Sequence, residues 1–208
     1  MVDRDAVRHG YDGMAATYAA ERSDDGRDVD ILDEFLASIP DAERVLDVGC
    51  GQGTPVLREL SASATAVGVD FSRRQLELAT QNAPDASLAQ GDMTRLPVRD
   101  GSFDAVTAFH SLIHVPFGDH QTVLDEFARV LDSGGRLLVT EGPEEWSGTN
   151  PDWLDSGVEM QWSIAGADAT REQLRSAGFS VVDEWGGPNE LADEEDARWV
   201  FFAARLDA

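Results

Sequence analysis

No lysine occurs anywhere in the 208 residues, and Cys50 is the only cysteine. A single thiol cannot close an intrachain disulfide or supply a cysteine-based zinc site. Placed between two glycines, Cys50 reads as a small residue tolerated in a turn. No stretch approaches the ~18 apolar residues that cross a bilayer. The first residues, MVDRDAVRHGYDG, have no apolar core behind their charges, as a secretory leader would. A cytoplasmic location and no membrane partner are therefore expected. Positive charge is scarce as well: sixteen basic residues, all arginine, face forty acidic ones, for a net charge of -24. Such a surface repels nucleic acid phosphates and anionic membranes, which argues against nucleic acid as a partner. At molar salt the Debye length shrinks to ~3 Å and self-repulsion is screened. The acidity thus reads as halophilic adaptation to a salt-rich cytoplasm and not as a binding signal.

What is present is ordinary for a globular chain: 42% apolar residues, enough for one sizeable core. A single domain over 1–208 is expected, with a helical cap over 1–40 and an irregular insertion or lid over 142–168. Between them, strand-like and helix-like segments alternate, the pattern of βαβ units on a parallel sheet. RVLDV (44–48), TAVGVD (65–70), SLAQGD (87–92), FDAVTAF (103–109) and RLLVTE (136–141) read as successive strands. FSVVDEW (179–185) and RWVFFAARL (198–206) complete the sheet. Thr54-Pro55 is expected to open a helix, with a hydroxyl cap and proline at its first position. Ser72 and Gln75 form a capping-box pair before a helix burying Leu76 and Ala79, and Thr170 with Gln173 forms another. Helical spacing of Leu124, Phe127, Ala128 and Leu131 predicts a helix over 119–131.

Chemistry concentrates in VLDVGCGQGT (45–54), where a buried strand runs into Gly49, Gly51 and Gly53. Glycines let the backbone turn sharply and approach a ligand, and the next helix offers its N-terminus. Dinucleotide-binding folds use a similar turn, but their pattern is G-x-G-x-x-G, and here the third glycine comes one residue early. Asp47, two positions before Gly49, would repel a pyrophosphate and suits a ligand carrying an ammonium or sulfonium. Asp70 closes the second strand, where a carboxylate can accept both hydroxyls of a ribose. Asp92 follows the third, where an acceptor could take an adenine amino group. Three carboxylates therefore end successive strands along one sheet edge, the edge at which open α/β folds bind ligands.

With YDGMAATY, VLDVGCGQGT, VGVDFS, GDMTRLPVRDGSFDAV and RVLDSGGRLLVTE in order from Tyr11 to Arg136 and just beyond, the sequence resembles the class I S-adenosylmethionine-dependent methyltransferases. It is most similar to the small-molecule branch that includes ubiquinone and menaquinone biosynthesis enzymes. The resemblance implies a Rossmann-like, doubly wound, mostly parallel seven-stranded α/β sheet with an antiparallel C-terminal strand and helices on both faces. It implies S-adenosylmethionine as cofactor and a small-molecule methyl acceptor. Gly49, Gly51 and Gly53 would wrap the methionine part, with Asp47 near its amino group. Asp70 would hold the ribose, Phe71 pack on the adenine, and Asp92 with the backbone of Met93 read the adenine edge. Tyr11 and Tyr18 would cover the cofactor, with Arg22 at its carboxylate.

The stretch HSLIHVPFGDH (110–120) has the His-x3-His-x5-His spacing of a zinc-protease helix. A metal triad of that kind needs its first two histidines on one helical turn with a glutamate between them. Ser111 stands where the glutamate belongs, a strand precedes, and Pro116 interrupts the run, so no metal is expected. His110 is the candidate for the acceptor side. His114 matches a histidine common at this point of the family and is the second candidate, for catalysis or for bracing the pocket. His120 reads as a solvated surface residue. Trp146, Trp153 and Trp162 suggest an apolar or aromatic substrate wall. A nicotinamide-dependent oxidoreductase on a related fold is the competing reading, opposed by the glycine spacing and Asp47. A non-catalytic S-adenosylmethionine-binding protein is the other.

Overall fold

The computed structural model describes residues 2–22, 26–188, 191 and 198–207. It opens on two helices, α1 (Arg4–Glu21) and α2 (Arg27–Ala37). The side chain of Asp3 caps α1 by accepting from the amides of Asp5 and Ala6, offsetting two orphan donors of the first turn. Val7, Tyr11 and Met14 fall on one buried face of α1, and Ile31, Leu32 and Phe35 on one face of α2.

Strand β1 (Arg44–Val48) leads through the glycine turn to α3 (Val56–Ser63), β2 (Thr65–Asp70), α4 (Arg73–Asn82) and β3 (Ser87–Gln90). Then come β4 (Phe103–Ala108), α5 (His120–Val130) and β5 (Leu131–Glu141). These five strands pair in parallel, joined by crossovers that carry a helix everywhere except between β3 and β4. After β5 lie β6 (Trp146–Asn150), β7 (Met160–Ile164) and α6 (Ala167–Ser176). Finally β8 (Phe179–Pro188) and β9 (Arg198–Leu206) extend the sheet, with β9 antiparallel to both β5 and β8. The order β3-β2-β1-β4-β5-β9-β8 is the expected doubly wound sheet with one reversed C-terminal strand.

Alternation along the strands sends neighbouring residues into two separate core layers. Leu46, Val106, Leu137 and Val139 meet Leu124 and Phe127 of α5 on one face. Val45, Ala105 and Leu138 meet α2 and α3 on the other, through Phe35, Leu57 and Leu60. Phe127 and Phe35 are fully buried, and truncating either to alanine should cost about 3–5 kcal/mol.

The structure departs from the sequence expectations at several points. Thr54 does not cap α3: its hydroxyl bonds the Gln52 side chain, and the helix starts at Val56 after Pro55. Ser72 does cap α4, accepting from the Gln75 amide, but the reciprocal bond is not made, because the Gln75 side chain is buried elsewhere without a partner. Leu76 is only partly buried. Helix α6 begins three residues before Thr170, whose buried hydroxyl donates to the Gly166 carbonyl at 2.9 Å. The segment 142–168 is not irregular. Its strands β6 and β7 form an antiparallel ribbon, with Trp146 opposite Ile164 and Asn150 opposite Met160.

Candidate active site

The turn after β1 is built on positive φ angles at Gly49 (74°), Gly51 (53°) and Gly53 (92°), a region that side chains disfavour. A Cβ on Gly49 would lie 2.3 Å from that of Ser111, so glycine lets the turn pack against the segment after β4. At Gly51 the nearest atom to an added Cβ is 3.9 Å away, and the position opens onto a cavity. Gly53 instead packs on Ala79 of α4.

Asp70, at the end of β2, is clamped by this turn. Its two carboxylate oxygens accept from the amide of Gly51 at 2.9 Å and that of Ser72 at 2.8 Å. Burial pushes its pKa up to about 6, and those two amide bonds oppose the rise. Asp47 lies deeper, opposite Thr107 of β4, whose hydroxyl donates to it at 2.8 Å. Burial raises Asp47 to about 7, with the neighbouring charge of Asp70 acting in the same direction.

The strand ends and α1 border a partly open cavity. Gly49, Gly51, Asp70, Phe71, Asp92 and Met93 form its floor, Tyr11 and Tyr18 its cover, and His110 and His114 one wall. Three expected residues do not line it. Asp47 sits behind Val48 and Gly49, Gly53 faces α4, and Arg22 turns its guanidinium to Asp28 at 3.4 Å. Asp92 does line it, but its carboxylate is already engaged: Arg4 donates to one oxygen at 2.8 Å, and the Thr94 amide and hydroxyl donate to the other.

Sequence reasoning missed Arg4, Gln75 and Ser111 in this wall. Arg4 had a signal, since Arg4, Tyr11 and Tyr18 recur every seven residues and share one helix face. Gln75 is 1% exposed with both amide atoms unpartnered among the described residues, a polar group held against the cavity. Nothing local marked Ser111, whose hydroxyl donates to the Val48 carbonyl at 2.9 Å.

The histidines separate. His114 is buried, with Nδ1 2.9 Å from the Gln161 carbonyl and Nε2 2.8 Å from the Tyr11 hydroxyl. The carbonyl can only accept, so Nδ1 carries the proton and Nε2 accepts from Tyr11. Burial drives its pKa down to about 4, so the ring is neutral at physiological pH. His110 has its Nε2 2.7 Å from Asp28, while its Nδ1 is buried with no partner among the described residues. His120, expected at the surface, is fully buried. Its Nε2 donates to the Val115 carbonyl at 3.0 Å, and its Nδ1 lies 3.7 Å from buried Glu141. Packing between α5 and the end of β5 removes it from solvent, a placement that its position at a helix start does not reveal.

A second groove shares Tyr11, Tyr18, His110 and His114 with the cavity, and Trp146, Trp153, Trp162 and Trp199 wall it. Trp153 meets Trp162 edge-on with ring centroids 5.2 Å apart, and Trp162 lies 5.8 Å from the His114 ring. Among the described residues, no group of three or more His, Cys, Asp or Glu side chains is placed to hold a metal, and no helix is long and apolar enough to cross a membrane.

Residues 46–139 match a family described as a methyltransferase domain. A 27-O-demethylrifamycin SV methyltransferase of Amycolatopsis mediterranei is 35% identical over 147 residues, 67% of this chain and 47% of that protein. A demethylmenaquinone methyltransferase of Deinococcus radiodurans is 41% identical over 121 residues, 55% of this chain and 48% of that one. The chain thus spans about half the length of the curated relatives it matches. The crystal structure of a magnesium protoporphyrin IX methyltransferase from Synechocystis PCC 6803, with bound S-adenosylhomocysteine, superposes with a TM-score of 0.77 at 18% identity. That match covers 99% of this chain and 100% of the other, and it speaks to the fold alone.

Proposed function

Because the chain carries a class I S-adenosylmethionine-dependent methyltransferase domain, we propose that it transfers a methyl group from that cofactor to a small molecule. The observation that carries this reading is the Gly51–Asp70 corner: a glycine open to the cavity beside a buried carboxylate held by two backbone amides. An added Cβ at Gly51 would take space that a ligand can use, and the unpartnered Gln75 amide offers a donor and an acceptor beside it. These residues fit an adenosine with an amino-acid tail.

In this reading Asp70 accepts from the ribose hydroxyls, Phe71 packs on the adenine, and the backbone of Met93 reads the adenine edge. Asp92 joins that reading by sharing or releasing its bond to Arg4. Gly49 and Gly51 wrap the methionine part, and Tyr11 and Tyr18 cover it. The bound cofactor supplies a methyl group on a cationic sulfur. The protein's own task is then to bring the acceptor to about 3 Å and keep water out. The tryptophan-walled groove takes that acceptor, which argues for an apolar or aromatic body.

Residues 1–40 and 142–168 serve as cover and acceptor wall of one unit. The net charge of -24 is salt adaptation in a cytoplasmic protein, and its sign argues against nucleic acid substrates. Calorimetric titration in molar KCl tests the reading. S-adenosylmethionine should bind and NAD should not, and Asp70→Asn should weaken the binding at least tenfold. NAD binding in preference would overturn it.

A further inference from the structure

We propose that Asp28 and His110 form a base that takes the proton of the methyl acceptor, and that this acceptor is a neutral phenol or enol on an aromatic body. The inference rests on the methyl-transfer reading above.

Asp28 is the second residue of α2, and its carboxylate lies 2.7 Å from His110 Nε2. A carboxylate can only accept, so the imidazole proton sits on Nε2. The remaining nitrogen, Nδ1, is buried and has no partner among the described residues. A proton left there would be an unsatisfied buried donor, so the stable form is a bare lone pair. Arg22 reaches the same carboxylate oxygen, Oδ2, at 3.4 Å. His110 itself holds a φ of 49°, a conformation uncommon outside glycine and one that collects at ligand-binding boundaries.

Its position matters as much as its chemistry. His110 borders both the cofactor cavity and the tryptophan groove. His114 borders both as well, but its two nitrogens are committed to Gln161 and Tyr11. His120 borders neither. Of the histidines in this stretch, His110 alone combines an uncommitted ring nitrogen with a place at the boundary, and that nitrogen is buried until a small movement of the ring lets the acceptor reach it.

The groove wall suggests what would need that lone pair. Glu21, Glu144, Asp152 and Asp155 line it with Arg22 and Arg198, and Arg22 is engaged by Asp28. Negative walls disfavour an acceptor that arrives as an anion, so a phenol or enol enters with its proton in place. The O–H proton then passes to Nδ1, and the bonding pair stays on oxygen as the nucleophilic pair. The resulting imidazolium keeps its Nε2–H on Asp28, and its extra proton leaves to solvent along the groove. A thioether or tertiary amine would need no such base. His110 is thus the catalytic residue and Asp28 a positioning residue.

The charged and titratable groups facing His110 are Asp28 from α2, Arg22 at the end of α1 and His114 on its own loop. From β9 the Trp199 and Phe201 rings pack against it, and beside it the Phe109 ring. Imidazole nitrogen NMR on the full chain in molar KCl, with and without S-adenosylhomocysteine, reads the tautomer directly. We expect His110 as the Nε2–H form with Nδ1 bare at neutral pH. Asp28→Asn should lower its titration midpoint by about one pH unit or more, and Asp28→Glu should restore it. Adding 1-naphthol should quench tryptophan fluorescence and shift the Nδ1 resonance. With 1-naphthol as acceptor, Asp28→Asn should cut kcat about 10–100-fold with little change in KM and move the acid limb of the pH profile downward.

An Nδ1–H tautomer in the wild type would overturn the proposal, as would an Asp28→Asn chain whose His110 titrates unchanged. Naphthol that binds without moving His110 would remove the base, and naphthol that does not bind would remove the acceptor class. Failure of S-adenosylhomocysteine to bind in calorimetry would strike the methyl-transfer reading instead and leave the tautomer result standing.

Discussion

Glutamine at position 141 should free the fold of a large pH dependence. Glu141 ends β5 fully buried, with one oxygen accepting from the Gly142 amide at 2.8 Å and the other without a partner among the described residues, 3.7 Å from His120 Nδ1. Burial pushes its pKa from an ordinary 4.5 up to about 7. The folded chain therefore holds a proton that the unfolded chain has released, and stability falls as pH rises. The contribution is fully present below pH 4.5 and is lost as pH climbs through about 7. Each tenfold in proton affinity is worth ~1.4 kcal/mol, so the whole excursion amounts to about 3 kcal/mol. Glu141→Gln keeps the shape and stays neutral, and its amide can donate to His120 Nδ1 as only the protonated acid can. Urea unfolding in molar KCl should find the two chains within about 1 kcal/mol at pH 5. At pH 8 the variant should lead by about 3 kcal/mol, a midpoint shift of about 1–2 M. Asp47 and Asp70 titrate with the same sign in both chains, so the difference between the chains isolates position 141. Unfolding curves that track each other from pH 5 to 8 would refute the reasoning.

The same raised carboxylates bear on the cofactor. Asp70, near 6, must ionise for both of its oxygens to accept without carrying a proton, so S-adenosylhomocysteine affinity should rise about tenfold between pH 5 and 7.5 in calorimetry. A flat profile would remove Asp70 from the ribose. Gly51→Ala should weaken that binding at least tenfold and cost about 1 kcal/mol of stability, through its positive φ. Gly53→Ala, whose Cβ would meet Ala79 at 3.1–3.2 Å, should lower the melting temperature more than the affinity. Tyr11→Phe leaves His114 Nε2 buried without a donor and should cost about 1–3 kcal/mol in chemical denaturation. Dialysis below ~0.5 M salt should reduce the helical circular dichroism, because unscreened acidic repulsion then acts across the whole surface. A spectrum independent of salt would count against the halophilic reading.

The sheet and its ligand edge were legible because parallel strands each end in their own turn. Gly49, Asp70 and Asp92 can therefore be ordered along one edge from spacing alone. Asp47 was harder. A strand residue's partner across the ladder, here Thr107, is set by register that one strand does not carry. His120 failed for the same kind of reason: its buried neighbour Glu141 lies a helix and a strand away in the chain and meets it only in three dimensions. The ribbon of β6 and β7 escaped notice because WSGTN is polar and half-exposed, with no apolar alternation to count. Asp28 was invisible among its acidic neighbours, since nothing in RDVD distinguishes the carboxylate that turns inward to His110. Arg4 was the avoidable omission, being visible in a seven-residue spacing with Tyr11 and Tyr18.

Helix α1 is stitched to the domain at points remote in sequence: Arg4 to Asp92, Asp12 to Ser72, Tyr11 to His114. Its seat is complete only when β7 is in place, since the Asp3 amide also donates to the Gln161 side chain. The Arg4–Asp92 tether is half-exposed, and the apolar face of the helix packs in a small cluster of its own with Trp153 and Met160, apart from the two layers of the sheet. Such a segment should release before the sheet melts, as a separate opening unit in hydrogen exchange. The cavity beneath it would then be loaded from above, with the helix as its door.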